Sequence, residues 1–345
     1  MSIQSEAFFL CKKGAASEAF ELRDFNIESP KGADVLVESE AFGLNYADVM
    51  ARQGLYREAP PMPCVVGYEV VGKIVQCGPD ADPQLLGKRV VAFCRFGGYS
   101  KHVITNGQAI VIVGNESSEE LLALCTQAVT AYYMSYYLAP VHPSDVVLIH
   151  AAAGGVGTIL IQLAKMKGAK VIAKIGSDSK KELVEKLGAD FVVNYNTSEY
   201  DLEIKKYLGD KRVDISYNPV AGSTFKKDMG LIGSGGRLVL FGGSELGQAK
   251  WGIFSQLNFV RKMGLVLPIG LMMRSKNILG VNMLKIADNR PEVLQMCLSE
   301  VFKMYQQKTI IPQVGGVFEQ SDLHLAHAAL ESGKTTGKLV VKWQV

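Results

Sequence analysis

Short apolar runs, divided by Gly and Pro, fill the chain from residue 1 to about residue 125. Helical periodicity is weak there, except from Tyr46 to Gln53 and from Glu116 into Tyr137. Strands at such spacing, with few helices between them, predict a β-rich domain that rolls up around its own core. The clearest predicted strands are 35–37, 70–75, 88–93 and 109–113.

Beyond about residue 140 the pattern alternates between strand and helix. Residues 146–150 are an uninterrupted apolar run ending at His150, typical of a strand buried on both faces. Six strands joined by crossover helices predict a doubly wound parallel sheet of the Rossmann type in an α/β chain. The other predicted strands are 170–175, 191–193, 213–217, 237–241 and 278–281, and the predicted helices are 157–167, 180–187 and 202–208.

The tail returns to a mixed pattern, with helices predicted at 291–307 and 322–331 and a strand at 338–342. A length of 345 residues favours two domains over one core. We therefore predict a dinucleotide-binding domain over residues 126–283. Residues 1–125 and 284–345 together form the predicted β-rich domain, which we expect to carry the catalytic groups.

Composition and charge exclude several classes of protein. Apolar residues make up 48% and charged residues 21% of the chain, and the net charge is +3, so we expect neither disorder nor nucleic-acid binding. The six cysteines contain no CxxC pair, which favours reduced thiols in a cytoplasmic protein. No apolar stretch of membrane-spanning length is uninterrupted, because Arg261 and Lys262 break the nearest one, 251–273.

A glycine-rich turn follows the first strand of the parallel sheet. Residues 151–157 read Ala-Ala-Ala-Gly-Gly-Val-Gly and lead into a predicted helix. Small residues let the backbone approach a pyrophosphate, and the helix N-terminus supplies N–H groups and a positive dipole end. The sequence thus predicts a dinucleotide site, with its candidate contacts at Ala153, Gly154, Gly155, Val156 and Gly157.

The end of the second strand indicates which dinucleotide binds. NAD sites place Asp or Glu there to hold the ribose 2′-hydroxyl, but this chain has Ile175 and Gly176. Asp178 is interpreted as a helix cap beside Ser177. Lys180 and Lys181 then fall where a 2′-phosphate would bind, and Tyr195 follows the third strand. This pattern favours NADPH, with Ser177, Lys180 and Tyr195 as candidate contacts, although paired lysines also occur on solvated helix faces.

Four further motifs carry a resemblance to a known family. They are Gly-Leu-Asn-Tyr-Ala-Asp at 43–48, Arg-Gln-Gly-Leu-Tyr at 52–56, Gln-Ala-Val-Thr-Ala-Tyr at 127–132 and the ending 333–340. Together with the glycine turn they resemble the medium-chain dehydrogenase/reductase superfamily, in its zinc-free quinone oxidoreductase branch. Residues 44–56 especially resemble the vesicle amine transport protein group. The resemblance implies that the β-rich domain is GroES-like.

Several features of the chain depart from patterns known in that superfamily. Its zinc alcohol dehydrogenases carry a Gly-His-Glu signature, an early catalytic Cys and a four-cysteine lobe. This chain has Gly67-Tyr68-Glu69, no Cys within 45–48 and no cysteine lobe, so we predict no metal site. After the fourth strand, Asn218 stands where the family usually has Asp, which leaves the geometry of the nicotinamide side open.

The resemblance implies roles for several residues. Asn45 and Tyr46 are expected beside nicotinamide and substrate, with Tyr46 as a hydrogen-bond donor unless solvent delivers the proton or both residues only shape the cleft. Thr130 is expected near the nicotinamide, and Gly242, Gly243 and Lys338 at the cofactor.

The predicted function is zinc-independent reduction of quinones or other α,β-unsaturated carbonyls by NADPH, in a homodimer. A nucleotide-binding regulatory or membrane-associated protein with little turnover, and an enoyl-thioester reductase, are the alternatives.

Three other features have interpretations of their own. His150 is predicted to pack and hydrogen-bond rather than act as an acid. His324 and His327, three apart on one helix, could face one another, and with no third ligand in view they are interpreted as structural residues. The apolar segment 251–273 is a pocket wall, a dimer contact, a peripheral membrane contact or core.

Overall fold

The computed structural model describes residues 2–247 and 252–344, and the side chains of 252–255 are outside that description. The chain forms two compact units. Unit 1 comprises the residues up to 129 and those from 283 onward, and unit 2 comprises residues 130–282.

Sixteen strands are present in the described residues. They are β1 (Ser2–Leu10), β2 (Phe20–Glu28), β3 (Asp34–Leu44), β4 (Cys64–Val65), β5 (Glu69–Cys77), β6 (Arg89–Phe93), β7 (His102–Asn106), β8 (Ile110–Ile112), β9 (Val146–Ile149), β10 (Lys170–Ile175), β11 (Phe191–Asn194), β12 (Val213–Asn218), β13 (Ile232–Leu240), β14 (Asn277–Gly280), β15 (Val314–Glu319) and β16 (Lys338–Lys342).

The α-helices of the same residues number fourteen. They are α1 (Ala16–Ala19), α2 (Tyr46–Arg52), α3 (Ser118–Ala123), α4 (Val129–Tyr132), α5 (Gly155–Met166), α6 (Lys181–Lys186), α7 (Tyr200–Leu208), α8 (Ser223–Leu231), α9 (Ser244–Gly247), α10 (Gly252–Met263), α11 (Pro268–Arg274), α12 (Met283–Asn289), α13 (Pro291–Gln306) and α14 (Leu323–Glu331).

Unit 1 is the predicted β-rich unit. Its larger sheet has the order β15-β16-β3-β5-β6-β8, with β7 also paired to β3, and a second sheet has the order β2-β1-β4. Alternating side chains of these strands close over a core that contains Phe42, Val70, Tyr99 and Trp343. The strand β16, from the far end of the chain, lies between β15 and β3.

Unit 2 is a doubly wound parallel sheet, which confirms the prediction. Its six strands have the order β11-β10-β9-β12-β13-β14, and every neighbouring pair is parallel. All four residues of β9 are buried, as a continuous apolar run predicts. From β9 the strand order runs to one side of the sheet through β10 and β11, and from β12 it runs to the other side, so the switch point lies between β9 and β12. In sheets of this kind, ligands bind at the switch point, outside the carboxyl ends of the strands.

Some local predictions were less accurate. The helical pattern from Glu116 into Tyr137 is not one α-helix, because π-helical turns at Leu124–Ala128 and Tyr133–Leu138 flank α4. The β1–β2 hairpin was not predicted, because the charged residues of β2 leave no clean alternation.

The apolar segment 251–273 forms α10 and α11, but the core interpretation is wrong for much of it. Met272 and Met273 are 69% and 79% exposed, and Leu265 is 87% exposed. Trp251 and the Phe254 side chain lie outside the described residues.

Candidate functional site

The glycine turn joins β9 to α5 with geometry that only small residues permit. Ala151 has a φ of +48°, and the amide of Ala152 donates to the Lys174 carbonyl at 3.1 Å, which ties the turn to β10. A Cβ atom on Gly157 would lie 2.5 Å from the Ala151 carbonyl oxygen and 2.7 Å from the Ala152 Cα. Gly157 therefore lets the first turn of α5 pack directly against the strand end, as a pyrophosphate-binding turn requires.

The carboxyl end of β10 carries no carboxylate. Ile175 is buried, and Gly176 follows it with the Tyr195 side chain against its Cα, since a Cβ there would lie 2.6 Å from the Tyr195 hydroxyl. The Tyr195 amide donates to the Ile175 carbonyl at 3.1 Å, and the Asn196 side chain donates to the Gly176 carbonyl at 2.7 Å. A tyrosine thus occupies the space next to the position where an NAD site has its acid.

The turn after Gly176 has a serine cap. The Ser177 hydroxyl accepts from the Ser179 amide at 3.3 Å, so Ser177 rather than Asp178 is the capping residue. Asp178 accepts instead from the Asn194 amide group at 2.9 Å. Lys180 is nearly buried and its pKa is lowered by desolvation. The solvated-face interpretation is therefore wrong for Lys180.

Lys181 behaves differently from its neighbour. It lies at the surface of α6, 3.8 Å from the Glu185 carboxylate. The solvated-face interpretation fits this residue.

Three other predicted cofactor residues belong to unit 2. Gly242 and Gly243 follow β13, and a Cβ on Gly242 would lie 2.7 Å from the Pro219 carbonyl oxygen. Thr130 is a nearly buried residue of α4, between the two π-helical turns. The carboxyl edge of one parallel sheet thus brings together the turn after β9, the Gly176–Tyr195 pair and the glycines after β13.

A buried polar network behind this edge was not predicted. His150 is fully enclosed, with Nε2 2.9 Å from the Asp228 carboxylate and Nδ1 3.2 Å from the Lys174 ammonium. Both ring nitrogens are therefore occupied, as the packing interpretation of His150 predicts. The missed residues are Lys174, whose pKa burial lowers to about 8, and Asp228, which lies on α8. A lysine inside the apolar strand β10 was the available signal.

Asp228 is saturated by donors. Besides His150 it accepts from the Tyr200 hydroxyl at 2.8 Å, the Ser216 hydroxyl at 2.8 Å and the Asn218 amide at 2.6 Å. Hydrogen bonds from His150 and from these three side chains keep the pKa of Asp228 low in spite of its burial. The side-chain oxygen Oδ1 of Asn218 accepts from the backbone amides of Val220 and Ala221 and so shapes the loop after β12.

In unit 1, Asn45 belongs to a buried charge cluster. Its side-chain nitrogen Nδ2 donates to the Glu69 carboxylate at 2.8 Å, and its side-chain oxygen Oδ1 accepts from the Lys338 ammonium at 3.0 Å. Lys338 also forms an ion pair with Glu69, and both side chains are fully buried. Gly43 leaves room for this pair, because a Cβ there would lie 2.4 Å from Lys338 and 2.5 Å from Glu69. The structure therefore places the Lys338 ammonium in the core, where it holds Asn45.

Tyr46 begins α2 directly after Asn45. The backbone N–H of Asn45 donates to the Asp48 carboxylate at 2.8 Å and so fixes the first turn of the helix. Partial burial raises the pKa of the Tyr46 phenol, and the nearby Glu331 carboxylate raises it further. Tyr46 is therefore protonated at neutral pH and can donate a hydrogen bond.

Tyr68 stands at the position of the zinc-ligand histidine. It is buried, with its ring 5.4 Å from that of Phe96 and 6.3 Å from that of Tyr56. Within residues 2–247 and 252–344, no group of three or more His, Cys, Asp or Glu side chains could hold a metal ion. Tyr68 thus puts a buried, ring-packed phenol where the zinc alcohol dehydrogenases have a histidine ligand.

Of His324 and His327, only the second is buried. His327 has Nε2 3.0 Å from the Tyr99 hydroxyl, whereas His324 on the same helix, α14, is exposed. Three residues correspond to about 300° of helical rotation, so the two side chains are about 60° apart and His324 lies just outside the buried stripe. Separately, none of the helices that the structure describes is long and apolar enough to cross a bilayer.

Two family models match the chain. Residues 31–141 match the alcohol dehydrogenase GroES-like domain, and residues 155–299 match the zinc-binding dehydrogenase family. Quinone oxidoreductase 1 of Escherichia coli is 32% identical over 235 residues, which cover 68% of this chain and 72% of that protein. The synaptic vesicle membrane protein VAT-1 homolog of Danio rerio is 28% identical over 314 residues, which cover 90% of this chain but only 64% of that protein.

Solved structures agree with this assignment. The E. coli quinone oxidoreductase complexed with NADPH has a TM-score of 0.84 at 25% identity, over 98% of this chain and 99% of the other. CurK enoyl reductase has a TM-score of 0.83 at 25% identity, over 99% and 100%. The chain belongs to the medium-chain dehydrogenase/reductase superfamily, in its quinone oxidoreductase branch and close to the VAT-1 homologues.

Proposed function

We propose that this protein is an NADPH-dependent reductase of quinones or other α,β-unsaturated carbonyls. The observation that carries the proposal is the end of β10, where Tyr195 packs on Gly176 and no carboxylate is present to bind a ribose 2′-hydroxyl. A carboxylate there would repel a 2′-phosphate, whereas Lys180 nearby attracts it. The similar E. coli quinone oxidoreductase was solved with NADPH, which supports the same choice of cofactor.

The chain's own residues would hold NADPH along one sheet edge. The backbone from Ala153 to Gly157 would bind the pyrophosphate, and Ser177, Lys180 and Tyr195 the 2′-phosphate. Thr130, Gly242 and Gly243 are the proposed contacts of the nicotinamide half. The cofactor supplies a hydride.

The proposed catalytic residues are Asn45 and Tyr46. Because burial keeps the Tyr46 phenol protonated, it can stabilise a developing oxyanion on a carbonyl oxygen. Asn45 is held by Glu69 and Lys338, which fixes the start of α2 and thereby the position of Tyr46.

We propose that turnover needs no zinc. The buried, ring-packed Tyr68 replaces a ligand, and reduction of an already polarised acceptor does not require a Lewis acid to lower the pKa of a hydroxyl. We also propose a homodimer acting in the cytoplasm, in keeping with six free thiols.

The decisive experiment measures steady-state NADPH oxidation with a panel of quinones, enones and enoyl thioesters. We expect quinone or enone turnover, at least tenfold slower in Tyr46→Phe. Activity restricted to enoyl thioesters would favour the enoyl reductase alternative. Tight NADPH binding without turnover would favour a regulatory role.

Cofactor and metal are tested separately. NADPH fluorescence titration should show tighter binding than NADH, and Lys180→Met should reduce the difference. Stronger NADH binding would contradict the proposal, as would stoichiometric zinc in metal analysis of the purified protein.

A further inference from the structure

Lys174 is the penultimate residue of β10, and its ammonium lies inside unit 2. The side chain is nearly buried, between two tyrosine rings, with Nζ 4.1 Å from the Tyr200 centroid and 4.8 Å from the Tyr195 centroid. Tyr200 is buried, whereas Tyr195 is 47% exposed. The ring of Tyr195 therefore has the buried ammonium against it and is also open to solvent.

The Lys174 ammonium has a hydrogen-bond partner, His150, in the interior of unit 2. It lies 3.2 Å from His150 Nδ1, and the opposite ring nitrogen reaches Asp228 at 2.9 Å. A protonated Lys174 has no acceptor capacity and so donates to Nδ1, which requires the neutral His150 with its proton on Nε2. Desolvation lowers the pKa of His150, in agreement with a neutral ring.

The other charged groups near Lys174 have ion-pair partners of their own. Lys227 on α8 pairs with Glu199 and with Asp201, and Glu245 on α9 pairs with Lys262 at 2.6 Å. Asp228 already accepts from four side chains, one of which is neutral His150 between it and Lys174. The positive end of this network is thus the end that faces Tyr195.

We propose that Lys174 is a second cation of the 2′-phosphate subsite, a specificity-determining residue that acts through the ring of Tyr195. This inference rests on the proposed NADPH function. The cation–π contact holds the phenol over Gly176, in the space beside the missing carboxylate, and adds positive potential behind it. A buried ammonium is costly to desolvate, and an apolar chain of similar length would fill the same space, so packing alone does not account for lysine here. The ammonium compensates Asp228 through His150 on one side and has the Tyr195 ring on the other.

The test uses two fragments that differ only in the phosphate: 2′,5′-ADP and 5′-AMP, titrated calorimetrically into the full chain. We expect Lys174→Met to weaken 2′,5′-ADP binding about tenfold, the size of a charge–charge attraction across several ångströms at intermediate dielectric. Binding of 5′-AMP should change less than about twofold, because that ligand has no charge at the subsite.

Lys227→Met is the matched control, because its ammonium also lies over Tyr200, at 5.3 Å, but pairs with two carboxylates. It should leave both affinities unchanged. Since Lys174→Met alone leaves Asp228 uncompensated, Lys174→Met/Asp228→Asn provides a charge-balanced variant that should fold and show the same selective loss.

Equal weakening of both fragments, in the single and in the balanced variant, would overturn the inference and leave a structural role. The proposed function fails in a different way, namely if the unmodified protein does not prefer 2′,5′-ADP over 5′-AMP.

Discussion

The side-chain amide of Asn218 donates to the Asp228 carboxylate across 2.6 Å in the interior of unit 2. The family usually has Asp at the first of these positions, after the fourth strand of the sheet. Here the carboxylate comes from α8 instead, and the strand contributes the donor.

We predict that Asn218→Asp destabilises the protein by about 3 kcal/mol at pH 8, because two carboxylates would then meet at hydrogen-bond distance in a buried site. Urea unfolding measures the loss. The exchange variant Asn218→Asp/Asp228→Asn should recover most of it, whereas the exposed Asn258→Asp should change stability by less than about 0.5 kcal/mol. If the exchange variant is no more stable than the single variant, the two positions do not share one charge.

A second prediction concerns the glycine turn. In Gly157→Ala the new Cβ would lie 2.5 Å from the Ala151 carbonyl and 2.7 Å from the Ala152 Cα, so backbone must move. We expect NADPH affinity to fall at least tenfold, measured by fluorescence titration. Gly168→Ala is a useful comparison, because its Cβ would meet nothing within 4 Å, although its φ of +79° carries its own strain. That variant should lose stability but keep its affinity.

His327 should make the protein sensitive to acid. Its imidazole is fully buried against Tyr99, and desolvation lowers its pKa from 6.5 to about 3. Between those values the unfolded state binds more protons than the folded state, so stability falls as the pH falls. From pH 6.5 to pH 4 we expect this histidine to contribute a loss of about 3 kcal/mol.

Chemical denaturation at several pH values checks this. His327→Gln should flatten the acid limb of the stability profile, although its stability at neutral pH will be lower. The exposed His324 on the same helix provides the control, since His324→Gln should leave the profile unchanged. A parallel shift of both profiles would refute the assignment to His327.

The exposed methionines of α11 should contribute little to folding. Met272→Ser/Met273→Ser removes side chains that are mostly in solvent, so we expect a change in unfolding free energy within about 0.5 kcal/mol for each. Leu238→Ser, in the fully buried part of β13, should cost at least 3 kcal/mol by comparison. Thermal and urea unfolding of the two variants give the comparison, and a large loss in the methionine variant would show that α11 is packed in solution.

The alternation of apolar strand segments and helical segments along the chain predicted the sheet of unit 2 well. The apolar runs of β9, β10 and β12 are each bounded by turn residues, and apolar periodicity with turn residues at both ends is enough to predict such strands. The sequence could not show that Lys174, His150 and Asp228 meet, because Lys174 lies on β10, His150 directly after β9 and Asp228 on α8, tens of positions apart. Similarly, the sequence does not distinguish Lys180 from Lys181, but only Lys180 is buried in the structure.

Contacts between residues that are far apart in sequence also determine when each unit can finish folding. Lys338 finds Glu69 across 269 positions, and β16 fills the gap between β15 and β3. During synthesis, unit 2 emerges as one continuous stretch and can fold as soon as it leaves the ribosome. Until β16 is synthesised, some 270 residues after β5, the edge of β3 that pairs with it is open. Glu69 on β5 also lacks its lysine partner until then. Nascent unit 1 is therefore the part of the chain most in need of a chaperone.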